Sequence, residues 1–383
     1  MNTDEQYTDV TIAGAGPVGL YLAGLLGIMD FSVTVLEPKP EVDLHSKSLG
    51  IHPVSLELFD EVNIAAQFVD AGLPIKKGLA FIDRKEIGAV TFEPCPEPFN
   101  YILALPQYRT EQILETWCNG IANVTILRGA KVTEFEQTEE AVFTRYESAG
   151  ENEVIRSLYL AGCDGKKSLV REAAGIEFSD KPYPDTYIMG DFSDNTPFGP
   201  DAAVYLHRDG LIESFPLPDS TRRWVVKTDH YVEKPTRELI EQLIDMRIGH
   251  PLAGQQNLML SSFGVQHHLA ESFHSGRVVL AGDSAHVVSP IGGQGMNLGW
   301  LTAKRLADTL KAIRDEPGES EGLMRNFSKI SRSVARTVAK RAEINMWLGR
   351  KRRFPILRNG IARLIVNTPL QKIMARIFTM RGI

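Results

Sequence analysis

Cysteine is scarce in this chain: three in 383 residues, at Cys95, Cys118 and Cys163. They are isolated, with no redox or metal-ligand spacing. That excludes a disulfide framework and a cysteine-built metal site, and it fits free thiols in a reducing compartment. No apolar run approaches about 18 residues, which argues against a spanning helix. The opening MNTDEQYTDV has neither a basic start nor an apolar core, so no secretory signal is expected and a cytoplasmic location is. Positive charge is not in excess: net charge is −6, which argues against a general nucleic-acid binder. No internal repeat or low-complexity tract is found. A Gly-x-Ser-x-Gly elbow is also missing, so no nucleophile–base triad is expected. What remains is an ordinary globular composition, long enough that two domains with a shared interface are the default.

The chain opens with a strand–turn–helix–strand unit. Asp9–Ala13 is apolar, a glycine turn follows, a helix runs from Pro17 to about Met29, and Phe31–Leu36 is a second strand ending at Glu37. Pro53–Asp60 reads as a helix. Pro94–Pro106 is proline-rich and reads as a connection between domains. A helix begins near Tyr108, and Val124–Leu127, Lys131–Glu136, Ala141–Tyr146 and Val154–Cys163 alternate like a meander. From Tyr187 to Asp229 short β-type runs recur and suggest an inserted antiparallel sheet. Thr236–Ile248 and Asn297–Arg314 read as helices, and the remainder is helical and basic. The expected fold is α/β: a Rossmann-like dinucleotide-binding domain (1–73, 101–180 and 262–315), an inserted β-sheet substrate domain (74–100 and 181–261) and C-terminal helices (316–383).

Three turns carry chemistry. In Gly14-Ala-Gly16-Pro-Val-Gly19, Gly14 permits the tight turn and Gly16 lets the backbone approach a pyrophosphate seated on the helix N-terminus. Gly19 allows close helix–strand packing. Glu37, ending the next strand, is placed to accept from a ribose hydroxyl. The second turn, Gly162-Cys163-Asp164-Gly165, ends a strand ahead of Ser168 and Arg171. Two readings stand for it: a polar turn between two ligands, or a cap in which Asp164 satisfies helix amides. The third, Gly282-Asp283 followed by Pro290 and Gly292-Gly-Gln-Gly295-Met-Asn297, offers a carboxylate to a polyol. It also offers backbone N–H groups at a helix N-terminus to an electron-rich ring edge.

Together these blocks resemble the class A FAD-dependent aromatic hydroxylases of the p-hydroxybenzoate hydroxylase type. GAGPVG is similar to that family's ADP-binding fingerprint, CDGKKSLVR to its DG motif, linked to FAD and NADPH, and AGDSAHVVSPIGGQGMNLG to its GD motif. HSKSLGIHPVSLELF resembles the segment whose basic residue meets the FAD phosphates, here Lys47, where Arg is more usual. LPQYRTEQIL resembles the segment that gives a glutamine, Gln107, to FAD. The resemblance implies a cofactor-binding set of Gly14, Gly16, Pro17, Val18, Gly19, Glu37, Pro38, Lys47, Gln107, Asp164, Gly165, Gly282, Asp283, Pro290, Gly293, Gly295, Met296 and Asn297. It further implies that NADPH or NADH reduces FAD, that O2 adds at flavin C4a, and that the hydroperoxide hydroxylates an electron-rich aromatic, phenolic or quinone-like substrate. The alternatives are a FAD-dependent reductase of polyprenyl double bonds, as in geranylgeranyl reductases, and a FAD-binding protein without turnover. A flavin halogenase is disfavoured, because a Trp-x-Trp-x-Ile-Pro block is absent.

The substrate pocket is expected between the flavin ring and the inserted sheet, with Pro290 on one side. Tyr187, Tyr205, His207, Phe215 and Trp224 are the sheet-side candidates, any of which can equally be ordinary packing. No metal is expected: His267 and His268 are adjacent on a strand and point to opposite faces. His286 reads as structural. In the tail, Arg350–Arg353 precedes two short helices. Leu357, Ile361, Leu364 and Ile365 share one face, and Leu370, Ile373, Met374 and Ile377 another. Basic charge beside such stripes fits a helix packed on its own domain or peripheral membrane contact. The oligomeric state stays open.

Overall fold

The computed structural model of the chain describes residues 6–44, 48–252, 257–351 and 355–383. Lys47 lies outside them. Two eight-stranded sheets dominate, joined by a three-stranded one. The first has at its centre the parallel strands Val278–Leu280, Glu151–Gly162, Gln6–Ala13, Val33–Glu37 and Val124–Arg128, in that spatial order. The long Glu151–Gly162 strand also pairs antiparallel with Val142–Ser148, which pairs with Ala130–Gln137, giving the meander read from the sequence.

Helices cover this sheet because its central strands are apolar on both faces, as parallel strands must be. Val10, Ile12, Val33 and Val35 are all essentially buried. Pro17–Ile28 supplies the main cover, packed closely enough on Gln107–Asn119 that a Cβ at Gly24 would strike the Trp117 ring at 2.1 Å. Tyr21, Phe59, Phe68 and Trp300 meet edge-on or stacked beneath it. The helix Gln294–Asp315 locks on through the Trp300 indole, which donates to the Pro17 carbonyl at 2.9 Å.

The second sheet runs His286–Val287, Asn257–Ala270, Phe178–Ser193, Thr221–Thr228, Gly210–Leu217, Ala202–His207, Lys77–Ile82, Lys85–Thr91. It is antiparallel as expected except at one place: Lys77–Ile82 lies parallel to Ala202–His207. The strands at 77–91, within the segment 74–100 expected in the inserted domain, and the long Asn257–Ala270 strand, which runs past the expected boundary at 261, complete the sheet. One face packs under the helix Arg237–Ile248, through Ile188, Phe192, Ile212 and Val226 against Ile240 and Ile244. The stretch read as a proline-rich connection contributes a strand, Ile102–Ala104, held between Gly50–Ile51 and Leu73–Ile75.

The chain then returns in Ser320–Gly349, Ile356–Asn367 and Leu370–Phe378. Buried Arg358 ties the second of these to the sheet by donating to the carbonyls of Leu206 and His207 at 3.2 and 3.0 Å. Arg358, Ala362 and Val366 form its inner face, so Leu357 and Leu364 stay exposed beside half-buried Ile361 and Ile365.

Candidate active site

Register brings the three turns together. Ala13 is opposite Gly162 on one side and Leu36 on the other, and Gly162 is opposite Leu280. The turns after Ala13, Gly162 and Leu280 therefore leave the carboxyl ends of adjacent parallel strands, where doubly wound sheets bind their ligands. Gly14 (φ +103°) takes a backbone conformation closed to most residues, and its N–H reaches the Leu36 carbonyl at 2.8 Å. A Cβ there would sit 2.6 Å from the Cys163 carbonyl oxygen, so the first and second turns touch backbone to backbone. Glu37 spans the gap by accepting from the Ala15 and Lys39 N–H groups at 2.8 and 3.0 Å. Pro38 directly follows it and is exposed.

Asp164 behaves as the capping alternative describes. One carboxylate oxygen accepts from the Val170 N–H at 3.1 Å, while Ser168 caps the same helix through Arg171. Its other oxygen is buried with no partner among the described residues, and burial raises its pKa. Asp164 itself does not line the central cavity; Cys163 and Gly165, on either side, do.

That cavity, about 760 Å³, lies between the three turns and the second sheet. Gly16, Pro17 and Val18 open onto it from the first turn, and Gln107 from the side. Gly282, Asp283 and Pro290 follow from the third, and Gly293, Gly295 and Met296 from the helix start behind it. Gln107 also binds Ser48 in both backbone and side chain and donates to Glu111. Gly293 (φ +66°) begins the Gln294–Asp315 helix without a side-chain cap, and the first-turn N–H groups of Gln294, Gly295 and Met296 have no intrahelical acceptor. Asn297 departs from the expected contact role. Its side chain is spent inside the protein, accepting from the His52 N–H and Ser55 hydroxyl at 2.8 Å each. It also donates to the Gly50 and Gly293 carbonyls at 2.9 and 2.8 Å. Such a set saturates an amide.

These features suit a dinucleotide cofactor. Space over Gly16 is open, with nothing within 4 Å of where its Cβ would be, while Gly19 is filled by the Gly14 carbonyl at 2.0 Å. The Pro17–Ile28 helix starts with proline and has no side-chain cap, so its N-terminal amides face the cavity ready for an anion.

On the sheet side, Phe215 lines the cavity as expected. Tyr205 does not: it is buried on the opposite face, stacked on Phe81 at 4.5 Å, and Trp224 is buried with it under the Arg237–Ile248 helix. Strand alternation is the reason, since Val204 and Leu206 take the cavity face. His207 is likewise corrected; it lies at a hairpin end near Asp83 and Asp209, outside the cavity. Tyr187 is buried beside the cavity, stacked on Phe263. His286 is buried and held near pKa 4 by burial, its Nε2 3.1 Å from the Thr302 hydroxyl, in keeping with a structural role. His267 and His268 belong to no metal-binding cluster among the described residues.

Sequence reasoning missed Glu213, Arg223 and His52, all of which face the cavity. Glu213 had a signal: it sits two residues from both Leu211 and Phe215 and so shares their face. Arg223 is held by Asp191 in a buried bidentate pair at 2.7 and 2.8 Å. His52 is fully buried, and burial lowers its pKa to about 4.

Residues 7–342 match the family described as FAD binding domain. This chain belongs to the class A FAD-dependent aromatic monooxygenases. Rifampicin monooxygenase of Streptomyces venezuelae is 30% identical over 349 residues, 88% of this chain and 71% of the relative. An uncharacterized aromatic compound monooxygenase of Bacillus subtilis, YhjG, is 31% identical over 83% of this chain and 67% of its own length. The anhydrotetracycline hydroxylase OxyS from Streptomyces rimosus superposes with a TM-score of 0.83 at 28% identity, covering 99% of this chain and 77% of that one. This chain's α/β fold pairs a Rossmann-like sheet with a second, largely antiparallel one.

Proposed function

We propose that this monooxygenase hydroxylates an aromatic, phenolic or quinone-like substrate, drawing electrons from NADPH or NADH and oxygen from O2. One observation carries the reading: three glycine turns at adjacent strand ends open into one cavity whose far wall is a mostly apolar sheet carrying Glu213 and Arg223. The proposed division is 1–73, 101–180 and 262–315 for the cofactor, 74–100 and 181–261 for the substrate, and 316–383 for the C-terminal helices, with Phe178–Ser193 and Asn257–Ala270 of the second sheet crossing two of these bounds. A cytoplasmic location is proposed on the three free cysteines.

Bound FAD supplies the electron relay and the activation of O2. The protein's part is to hold and orient. Gly16 and the Pro17–Ile28 amides would hold the pyrophosphate, Glu37 the ribose, Gln107 and Asp283 the chain between, and the Gln294–Met296 amides the ring. The first-turn amides favour negative charge on that ring. Pro290 and Phe215, which line the cavity, would help keep water from it.

The test uses the purified full chain. Bound FAD and NAD(P)H oxidation stimulated by an aromatic, with a hydroxylated product, are expected. A protein that takes up no FAD ends the reading, and anaerobic reduction of a polyprenyl chain would favour a reductase. Asp283→Ala is expected to lower FAD affinity about tenfold or more, the scale of one charge-assisted hydrogen bond. Asp164→Ala should slow reduction by NAD(P)H more than it weakens FAD retention. Normal reduction in that variant would limit Asp164 to its capping role.

We further propose that the C-terminal helices, packed by one face on their own domain, make peripheral contact with an anionic membrane surface through the other. Residues 350–383 hold nine basic and no acidic side chains, in a chain of net charge −6. Ile356 is 82% and Leu357 71% exposed, and Leu364 and Ile373 more than half. The same helices wall the cavity through Ala362, Val366 and Phe378, which suits entry of an apolar substrate from lipid. Among the described residues no helix is long and apolar enough to cross a membrane. Co-sedimentation with phosphatidylglycerol vesicles and little with phosphatidylcholine is expected, weakened by salt. Leu357→Ser with Leu364→Ser should cut binding about tenfold. Equal binding to both vesicles, or none, would refute the contact.

A further inference from the structure

Strand pairing sets five residues in one row across the cavity face of the second sheet: Val204, Glu213, Val225, Met189 and Ser261, each opposite the next. All five line the cavity. Glu213 is the ionisable member of that row. Leu211 and Phe215 flank it along its own strand, and it is 8% exposed. Its carboxyl makes no hydrogen bond or ion pair among the described residues, whereas the three cations near it share two other carboxylates. Arg223 is paired with Asp191, and Lys227 and Arg350 with Asp185 at 3.3 and 2.7 Å. The groups facing Glu213 are therefore Arg223 and Lys227 from Thr221–Thr228, Asp185, Tyr187 and Asp191 from Phe178–Ser193, and Arg350 beyond Ser320–Gly349. On its other side, Ala202–His207 presents only Ala202, Val204 and Leu206, and Ile356–Asn367 presents Ala362, Ile365 and Val366.

A buried carboxyl without a partner is costly in either protonation state, and more so when charged. Its complement is a donor brought by a ligand. We propose that Glu213 selects the substrate class of this site: it takes an uncharged aromatic through a hydroxyl or amino donor and turns aromatic carboxylates away. The inference rests on the reading of the cavity as the substrate site of an aromatic monooxygenase. A phenol O–H donates to a Glu213 oxygen directly. An aromatic carboxylate in the same place would put two anions side by side, where Asp185, Asp191 and a charged Glu213 already balance Arg223, Lys227 and Arg350. Burial pushes the Glu213 carboxyl up to about 7, so it is charged above that pH and neutral below. Rejection of carboxylates should thus be strongest at pH 8 and relax by pH 6, where an aromatic acid with an ordinary pKa near 4 is still ionised.

The experiment titrates the oxidised, FAD-loaded full chain with 2-naphthol and 2-naphthoate, reading the flavin absorbance. At pH 8 naphthol should bind about tenfold tighter or more, a gap that narrows toward pH 6. Glu213→Gln keeps the size and removes the charge; it should gain about tenfold in naphthoate affinity and lose the pH dependence of the ratio. The wild-type pH series stands without the variant. Naphthoate preferred by the wild type, or a ratio and pH profile unchanged in Glu213→Gln, overturns the assignment. If those failures occur while naphthol still stimulates NAD(P)H oxidation, the monooxygenase reading survives and only Glu213 is wrong. No FAD uptake, or no flavin response to either probe, overturns both.

Discussion

Gly16→Val is expected to fold with the stability of the parent and fail to hold FAD, whereas Gly19→Val is expected not to accumulate as folded protein. Both glycines belong to one turn, and both would be lost to a generic glycine-to-valine scan; their surroundings make the outcomes opposite. Gly16 has φ −73° and ψ 178°, an extended conformation any residue adopts, and no atom lies within 4 Å of its would-be Cβ. Valine there strains nothing in the free protein. It fills the space through which a pyrophosphate must approach the Pro17–Ile28 amides, so a loss of about a hundredfold or more in FAD affinity, roughly 3 kcal/mol, is expected. At Gly19 a Cβ would stand 2.0 Å from the Gly14 carbonyl oxygen and 3.2 Å from the Cys163 Cβ. Backbone must move there, at the join of two strand ends, and the cost exceeds the ~1–3 kcal/mol of ordinary overpacking. Thermal unfolding of both apoproteins and a flavin-fluorescence titration of the first decide it. A Gly16→Val protein that retains FAD at parental affinity would mean the cofactor does not cross this turn.

The same contrast explains what was legible beforehand. Glycine turns announce themselves because their demand is local: a strand, a forbidden φ or a close approach, then a helix. The three turns were found from sequence, and their convergence followed once one long ligand was required to span them. The cavity's far wall obeys a different rule. Ala202–His207 has apolar residues on both faces, so alternation alone leaves open whether Val204 and Leu206 or Tyr205 faces the ligand. The covering helix Arg237–Ile248 decides, and it takes the face with the larger rings, Tyr205 and Trp224. Aromatics are drawn to the drier side because they bury the most area. That reverses the expectation that they would greet an aromatic substrate. Glu213 went unmarked because nothing in the Gly210–Leu217 run, beyond the face it shares with Leu211 and Phe215, singles out an acid there. The tail stripes were visible, but which one faces inward was set by buried Arg358 reaching the Leu206 and His207 carbonyls, a contact across about 150 residues.

Asn297→Ala is expected to destabilise the protein by about 3 kcal/mol or more, and to weaken FAD binding only as a consequence. Four groups lose their partner at once: the His52 N–H, the Ser55 hydroxyl and the carbonyls of Gly50 and Gly293. Asn297 and His52 are buried, so water cannot substitute freely, and each orphaned group costs about 1–3 kcal/mol. Ser55 can rotate to a new acceptor; the backbone groups cannot. The clamp also has a reach that explains its position. It ties Gly293, where the Gln294–Asp315 helix begins, to Gly50 and to the helix Pro53–Asp60, and so fixes the direction in which the Gln294–Met296 amides point. Preorganised donors act only if their direction is fixed before the ligand arrives. Asn297→Asp separates the two roles: it keeps both acceptors, loses both donors and adds a buried charge, so it should be no more stable than the alanine variant. Denaturant midpoints of the apoproteins, read beside their FAD affinities, test the order of causes. A stable Asn297→Ala protein that cannot bind FAD would assign the side chain to the cofactor. A destabilised one that binds FAD within about tenfold once folded would assign it to the clamp.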